Sequence, residues 1–125
     1  MKEFDELIDY CEKSHKLDPW VKKTGMEGYC KELNDEVQEV MQAFEHNDME
    51  NLKEELGDVF HDLIHVCLCA KKEELFDIKD VLELAVKKFN NRKPYIKEGK
   101  TVTIEEARAI WKKVNYSFFH TYFDL

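Results

Sequence analysis

The sequence predicts an all-α protein, an antiparallel bundle of about five helices forming a single domain over residues 1–125. Apolar residues recur at helical spacing along most of the chain. Only four glycines and two prolines interrupt it, and no segment shows a convincing strand pattern. A length of 125 residues suits one domain, and 43% hydrophobic residues suffice to build a core.

The first two predicted helices are separated by a proline. The first helix runs roughly from Glu3 to Lys16, and Pro19 breaks it. The second runs roughly from Met26 to Phe44. Each helix has an apolar stripe, which consists of Phe4, Leu7, Ile8 and Cys11 on the first helix, and of Leu33, Val37, Val40, Met41 and Phe44 on the second.

The third predicted helix forms a hairpin with the second. His46-Asn47-Asp48 is a polar turn in which Asp48 can cap a helix that runs roughly from Met49 to Ala70. Its apolar stripe consists of Leu52, Leu56, Val59, Phe60, Leu63 and Cys67.

Two further helices are predicted in the last third of the chain. Asp77 can cap a fourth helix that extends to about Asn90, before Lys93-Pro94. Thr103 and Glu106 form the capping-box pattern that begins a fifth helix. The fourth helix carries the apolar residues Val81, Leu82, Ala85, Val86 and Phe89, and the fifth is expected to turn Ala107, Ile110, Trp111 and Val114 inward. The aromatic tail that follows, with Phe118, Phe119, Tyr122 and Phe123, is expected to pack on the core or enter a subunit interface.

Charge and composition narrow the classes of function. The net charge of -8, with no strongly basic stretch, argues against a nucleic-acid-binding protein. No apolar run is long enough to cross a membrane, and the acidic, amphipathic N-terminus does not resemble a signal peptide, so a cytoplasmic protein is expected. The four cysteines lack zinc-ligand spacing and are interpreted as reduced, mostly buried thiols.

Four carboxylates occupy matching positions on the second and third helices. At about 100° per residue, Glu36 lies roughly 60° and Glu39 roughly 120° from the centre of the apolar stripe. Glu55 and Asp58 have the same offsets on the third helix. Glu39 and Glu55 are also equally distant from the turn at Asn47, as are Glu36 and Asp58.

An antiparallel hairpin should therefore bring all four carboxylates to one place. Such a cluster is costly unless a cation neutralises it, and an all-oxygen ligand set favours magnesium or manganese over zinc. Asp35 lies at the edge of the same acidic arc, where it could position or deprotonate a water molecule. The alternative interpretation, for Asp35 and the quartet alike, is an ordinary solvated acidic face.

These residues resemble the MazG family of all-α nucleotide pyrophosphohydrolases. The family motif is Glu-Glu-x-x-Glu followed by Glu-x-x-Asp, and this chain has Asp35-Glu36-Val37-Gln38-Glu39 and then Glu55-Leu56-Gly57-Asp58. Three further segments resemble segments of the family, and these are Asp18-Pro19-Trp20, Lys88 to Arg92, and Glu106 to Trp111.

The resemblance implies hydrolysis of a nucleoside triphosphate to the monophosphate and pyrophosphate. It implies magnesium bound by Glu36, Glu39, Glu55 and Asp58, and substrate contacts from Lys88, Arg92 and Trp111. It also implies a homodimer or homotetramer that completes the bundle.

Departures from the family pattern leave alternatives open. The first motif glutamate is Asp35, and Asn115 stands where the family often has lysine. A hydrolase directed at dUTP or phosphoribosyl-ATP, a catalytically inactive helical interaction module, and a di-iron carboxylate bundle remain alternatives. The last would use Glu12 and His15 with two imperfect Asp-x-x-His copies, at Asp58 and Asp62.

Overall fold

The structure, a computed structural model, describes the backbone of residues 1–122 and the side chains of residues 1–114. It confirms the all-α class, since no strand occurs in the described residues. Residues 1–122 form six helices: α1 (Lys2–Leu17), α2 (Pro19–Glu45), α3 (Met49–Lys72), α4 (Ile78–Arg92), α5 (Pro94–Lys97) and α6 (Ile104–Tyr122). None of the helices within the described part of the chain is both long enough and apolar enough to pass through a bilayer.

The chain divides into two compact units, Met1–Ile78 and Lys79–Leu125. The first contains α1, α2 and α3, and the second contains nearly all of α4 together with α5 and α6. The single domain over residues 1–125 stays a prediction.

The predicted hairpin is present in the first unit, where α2 packs along α3. The turn at His46–Asp48 reverses the chain with Asn47 at a positive φ of 54°. Asp48 caps α3, because its carboxylate accepts a hydrogen bond from the backbone N–H of Asn51 at 3.1 Å. The turn therefore sets the register in which the two helices face each other.

The second helix begins earlier than predicted, at Pro19 rather than near Met26. Pro19 begins a helix because its fixed φ suits the first helical position, and the Asp18 carboxylate accepts a hydrogen bond from the N–H of Trp20 at 3.0 Å. Gly25 then interrupts the helix with φ 65° and ψ -178°, a conformation that glycine alone adopts readily. The result is a kinked helix that includes the segment before Met26, for which no helix was predicted.

The core of the first unit lies nearer the ends of α2 and α3 that are remote from the turn. Its fully buried members are mostly small or polar: Cys11, Val21, Tyr29, Ala43, Asp62, Ile64, His65, Cys67, Cys69 and Ala70. All four cysteines are free thiols, and only Cys30 is exposed.

The predicted apolar stripes of the hairpin are only partly buried within one chain. Leu33, Val40, Leu52 and Val59 are half-buried. The exposed members, which we call the hairpin apolar face, are Val37, Met41, Phe44, Leu56, Phe60 and Leu63. Helical periodicity identifies an apolar stripe, but it does not tell whether the same chain or another molecule covers it.

The second unit contains the two helices predicted there and a one-turn helix that was not predicted, α5. Thr103 begins α6 as expected, because its hydroxyl oxygen accepts a hydrogen bond from the N–H of Glu106 at 3.1 Å. Ala85, Ala107, Ile110 and Val114 are half-buried, whereas Val81, Leu82, Val86, Phe89 and Trp111 are exposed. The inward position predicted for Trp111 is therefore wrong, and the aromatic side chains predicted for the tail lie outside the described residues.

Candidate active site

Acidic side chains from α2 and α3 meet on one flank of the hairpin. One carboxylate oxygen from each of Glu36, Glu39 and Glu55 lies within 4.8 Å of the others. Asp58 is close enough to act electrostatically on both Glu36 and Glu55. The equal distances of these residues from the turn bring them to the same height, and their helical spacing puts them on the same side.

Two oxygens in this cluster are buried without a hydrogen-bond donor among the described residues. They are the Oε2 atoms of Glu36 and Glu55. A buried carboxylate oxygen normally accepts at least one hydrogen bond, because it has lost its contact with water. A bound cation would replace the missing donors, so the geometry and the all-oxygen ligand set fit magnesium or manganese.

The cluster also holds protons more tightly than isolated carboxyl groups do. Burial, followed by close contact with Glu55 and Glu39, raises the pKa of Glu36 to about 8. Contact with Glu39 is the largest cause of the raised pKa of Glu55. In both cases ionisation would add a negative charge beside others at short range. Without a cation, the cluster therefore retains a proton near neutral pH.

We expect magnesium binding to strengthen as pH rises toward about 8, because the cation must displace a proton held at Glu36. Isothermal titration calorimetry in two buffers of different ionisation enthalpy, between about pH 6 and 8, measures the protons released. The Glu36→Gln variant should release fewer protons. An affinity that is independent of pH in this range, with no proton release, would contradict the expectation.

The other predicted site residues occupy different places. Asp35 is exposed on α2, beside the cluster in sequence. Lys88 and Arg92 are half-buried on α4 in the second unit, where the Lys88 Nζ lies 5.7 Å from the centroid of the Phe89 ring. Trp111 is exposed on α6. Their roles toward a substrate stay predictions.

Sequence reasoning did not anticipate a second cluster of metal-ligating side chains in the first unit, formed by Cys11, His61 and His65. The four-residue spacing of His61 and His65 places both on one helical face and was the available signal. Nothing in the sequence pattern connected that pair to Cys11, which lies 50 residues before His61.

Comparison with known proteins identifies the family. The model of the MazG nucleotide pyrophosphohydrolase domain matches residues 24–97, more than half of the chain. A nucleoside triphosphate pyrophosphohydrolase of Mycolicibacterium smegmatis is 30% identical over 100 residues, which are 76% of this chain and 30% of that protein. The protein of the same name from Mycobacterium tuberculosis is 25% identical over 118 residues, 90% of this chain and 36% of its own. The chain thus spans about a third of the length of these relatives.

A solved structure agrees with this assignment over nearly the whole fold. The crystal structure of a MazG-related protein from Thermotoga maritima superposes with a TM-score of 0.85 at 31% identity, covering 90% of this chain and 98% of the other. The matched segment includes α3 and most of α2, and hence all four acidic residues of the hairpin. The chain therefore belongs to the MazG nucleotide pyrophosphohydrolase family.

Proposed function

We propose that this protein hydrolyses a nucleoside triphosphate to the nucleoside monophosphate and pyrophosphate, using a divalent cation held by Glu36, Glu39, Glu55 and Asp58. The observation that carries the proposal is the pair of buried carboxylate oxygens, on Glu36 and Glu55, that lack hydrogen-bond donors among the described residues. Family membership supports the class of reaction, and the names of the relatives support the triphosphate substrate.

The proposed site is acidic, and its substrate is also an anion. Magnesium bound there would supply the positive charge that holds the phosphates and stabilises charge developing during hydrolysis. The carboxylates of α2 and α3 would orient it from two helices fixed by the hairpin. Asp35 would orient a water molecule or accept its proton, because it is exposed and lies next to Glu36.

The family resemblance implies that three residues of the second unit contact the substrate. Lys88 and Arg92 are four residues apart on α4, which places both cations on one face of that helix. We propose that they contact phosphate groups and that the exposed ring of Trp111 contacts the base. Lys88→Ala and Arg92→Ala should each raise KM for the triphosphate more than they lower kcat.

The decisive experiment is a panel of canonical, deoxy and modified nucleoside triphosphates, with dUTP and phosphoribosyl-ATP included, assayed for pyrophosphate release with and without magnesium. Magnesium-dependent release of pyrophosphate and the monophosphate supports the proposal. One dominant substrate would assign the specificity, and equal turnover of all would indicate a housekeeping role. If no nucleotide is cleaved with magnesium or manganese, the proposal is wrong and the interaction module is favoured.

We further propose that the chain works as a homodimer or homotetramer, with the hairpin apolar face in contact with a second copy. Its six apolar side chains all remain exposed in one chain. A contiguous apolar surface of this kind on an otherwise strongly charged protein is typical of a subunit interface.

Met41→Lys should convert the oligomer to monomer, because Met41 lies within the hairpin apolar face and is 52% exposed, so the monomer itself tolerates the charge. Light scattering coupled to size-exclusion chromatography measures the change in mass. Gln42→Lys is the matched control, since Gln42 is exposed at about 100° from Met41 on the same helix. A wild-type protein that is monomeric at high concentration would refute this assembly.

A further inference from the structure

A second group of side chains capable of binding a metal lies in the first unit and includes none of the four acidic residues of the hairpin. It joins α1 to α3 through Cys11 on the former and His61 and His65 on the latter. One ligand atom from each lies within 4.8 Å of the other two. Cys11 and His65 are completely buried, whereas the His61 side chain is 35% exposed.

We propose that Cys11, His61 and His65 form a site for a zinc-class transition-metal ion, independent of the carboxylate cluster. One thiolate and two imidazoles are the ligands that zinc prefers, and they suit magnesium poorly. The same ligand set disfavours the di-iron alternative, which needs a mainly carboxylate environment.

The distance between the two imidazoles fits coordination. His61 Nε2 and His65 Nε2 are 3.1 Å apart. Two nitrogens bound at about 2.0–2.1 Å to a tetrahedral zinc ion are separated by about 3.3 Å. The ion could therefore be accommodated with a small movement of the half-exposed His61 ring, while Cys11 and His65 stay in place.

The remaining ring nitrogens already have the partners that a zinc site requires. His61 Nδ1 lies 2.9 Å from the carboxylate of Asp62, which is buried, and His65 Nδ1 lies 3.0 Å from Nε2 of His15. With both Nε2 atoms on the metal, each Nδ1 carries a hydrogen and donates it to one of these acceptors. Such outer hydrogen bonds fix the orientation and the basicity of metal-bound histidines.

The surroundings hold the ligands rigidly and balance the charge. The Tyr29 ring stacks on His65 with centroids 4.4 Å apart and an interplanar angle of 5°. Zinc binding converts the Cys11 thiol to a thiolate and releases its proton. The ion, the thiolate and the Asp62 carboxylate then sum to zero charge, which avoids the cost of an isolated buried charge. The half-exposed His61 side provides a path for entry.

The competing arrangement is a metal-free hydrogen-bond chain with a different set of tautomers. There His15 Nε2–H would donate to His65 Nδ1, His65 Nε2–H to His61 Nε2, and His61 Nδ1–H to Asp62. All three imidazoles would be neutral. Zinc binding therefore moves the hydrogen of His65 from Nε2 to Nδ1 and reverses the hydrogen bond with His15. This reversal gives a measurement that needs no mutation.

The test titrates the full chain with cobalt(II) and then with zinc. With excess magnesium present to occupy the carboxylate cluster, we expect one equivalent of cobalt to develop a thiolate-to-cobalt charge-transfer band and intense tetrahedral d–d bands that zinc abolishes. Nitrogen NMR of the histidine rings should show the shift of the His65 hydrogen to Nδ1. The melting temperature should rise by at least about 5 °C with excess zinc.

Variants separate this site from the carboxylate cluster. Cys11→Ser should lose the charge-transfer band, and Cys30→Ser is the matched control that should keep it, since Cys30 is exposed and outside the site. His61→Gln should weaken the cobalt binding that is followed by the thiolate band at least tenfold, while Glu55→Gln should leave the affinity measured by this band unchanged. Absence of the thiolate band in the wild type, or a band that persists in Cys11→Ser, would overturn the proposal, as would a His65 tautomer that zinc does not change.

Discussion

Replacing Glu55 with glutamine should reduce pyrophosphate release at least about 100-fold while the protein stays folded. A divalent cation contributes several kcal/mol to stabilising a transferring phosphoryl group, and about 1.4 kcal/mol corresponds to a factor of ten in rate. Glutamine preserves the size of Glu55 and removes one of the carboxylates that would hold the cation. Steady-state assays at saturating magnesium measure the loss, and circular dichroism checks the helical content.

The same variant should be more stable than the wild type when magnesium is absent. Glu55 lies against Glu39 and Glu36, and its contact with Glu36 adds to the effect of burial in raising the pKa of Glu36, so removing the charge of Glu55 relieves repulsion in the cluster. Glu27→Gln is the matched control, because Glu27 is exposed on α2 and pairs only with Lys31 among the ion pairs described. It should leave both activity and stability nearly unchanged. Full activity in Glu55→Gln would exclude Glu55 as an essential ligand.

Gly25→Ala should lower the free energy of unfolding by about 1–3 kcal/mol, although no atom lies within 4 Å of the added methyl group. The cost arises in the backbone, since φ 65° with ψ -178° is a conformation that alanine strongly disfavours. Denaturant unfolding of the wild type and of Gly25→Ala measures the difference, with the same slope of free energy against denaturant concentration applied to both.

Gly57→Ala is the informative comparison because its effect on the free energy of unfolding should have the opposite sign. Gly57 lies inside α3 with ordinary helical geometry and open space around its Cα. Alanine there should stabilise the protein by about 0.5–1 kcal/mol. Equal effects at the two positions would show that the kink at Gly25 does not determine the stability of α2.

The carboxylate cluster could be predicted because every step depended on local rules. The polar turn containing Asn47 fixed the axis of the hairpin, and 3.6-residue periodicity fixed the direction of each carboxylate. The paired carboxylates are separated from Asn47 by equal numbers of residues, which fixed their matching heights along the two helices. These rules act within one hairpin and do not depend on what packs against it. Binding of the metal and the roles of Lys88, Arg92 and Trp111 remain predictions.

The other features of the fold and of the sites could not be predicted, because they depend on information that local sequence rules do not contain. Pro19 predicts an interruption of the helix. Its fixed φ also suits the first position of a new helix, and Asp18 supplies the cap. Periodicity places Met41 and Leu56 on apolar stripes, but it cannot identify the molecule that covers a stripe, and both side chains are exposed in one chain. Cys11 and His65 meet only because α1 packs against α3, a long-range contact that spacing along the chain does not encode.

The two clusters differ in the helices that supply their side chains, because only one of them uses a residue of α1. The segment matched by the family begins at residue 24, downstream of α1, and contains every carboxylate of the hairpin as well as His61 and His65. The sulfur ligand alone comes from upstream. A protein shortened to the matched segment would retain its acidic quartet and two imidazoles yet lack the thiol, so the proposed site for a zinc-class ion depends on α1 whereas the carboxylate cluster does not.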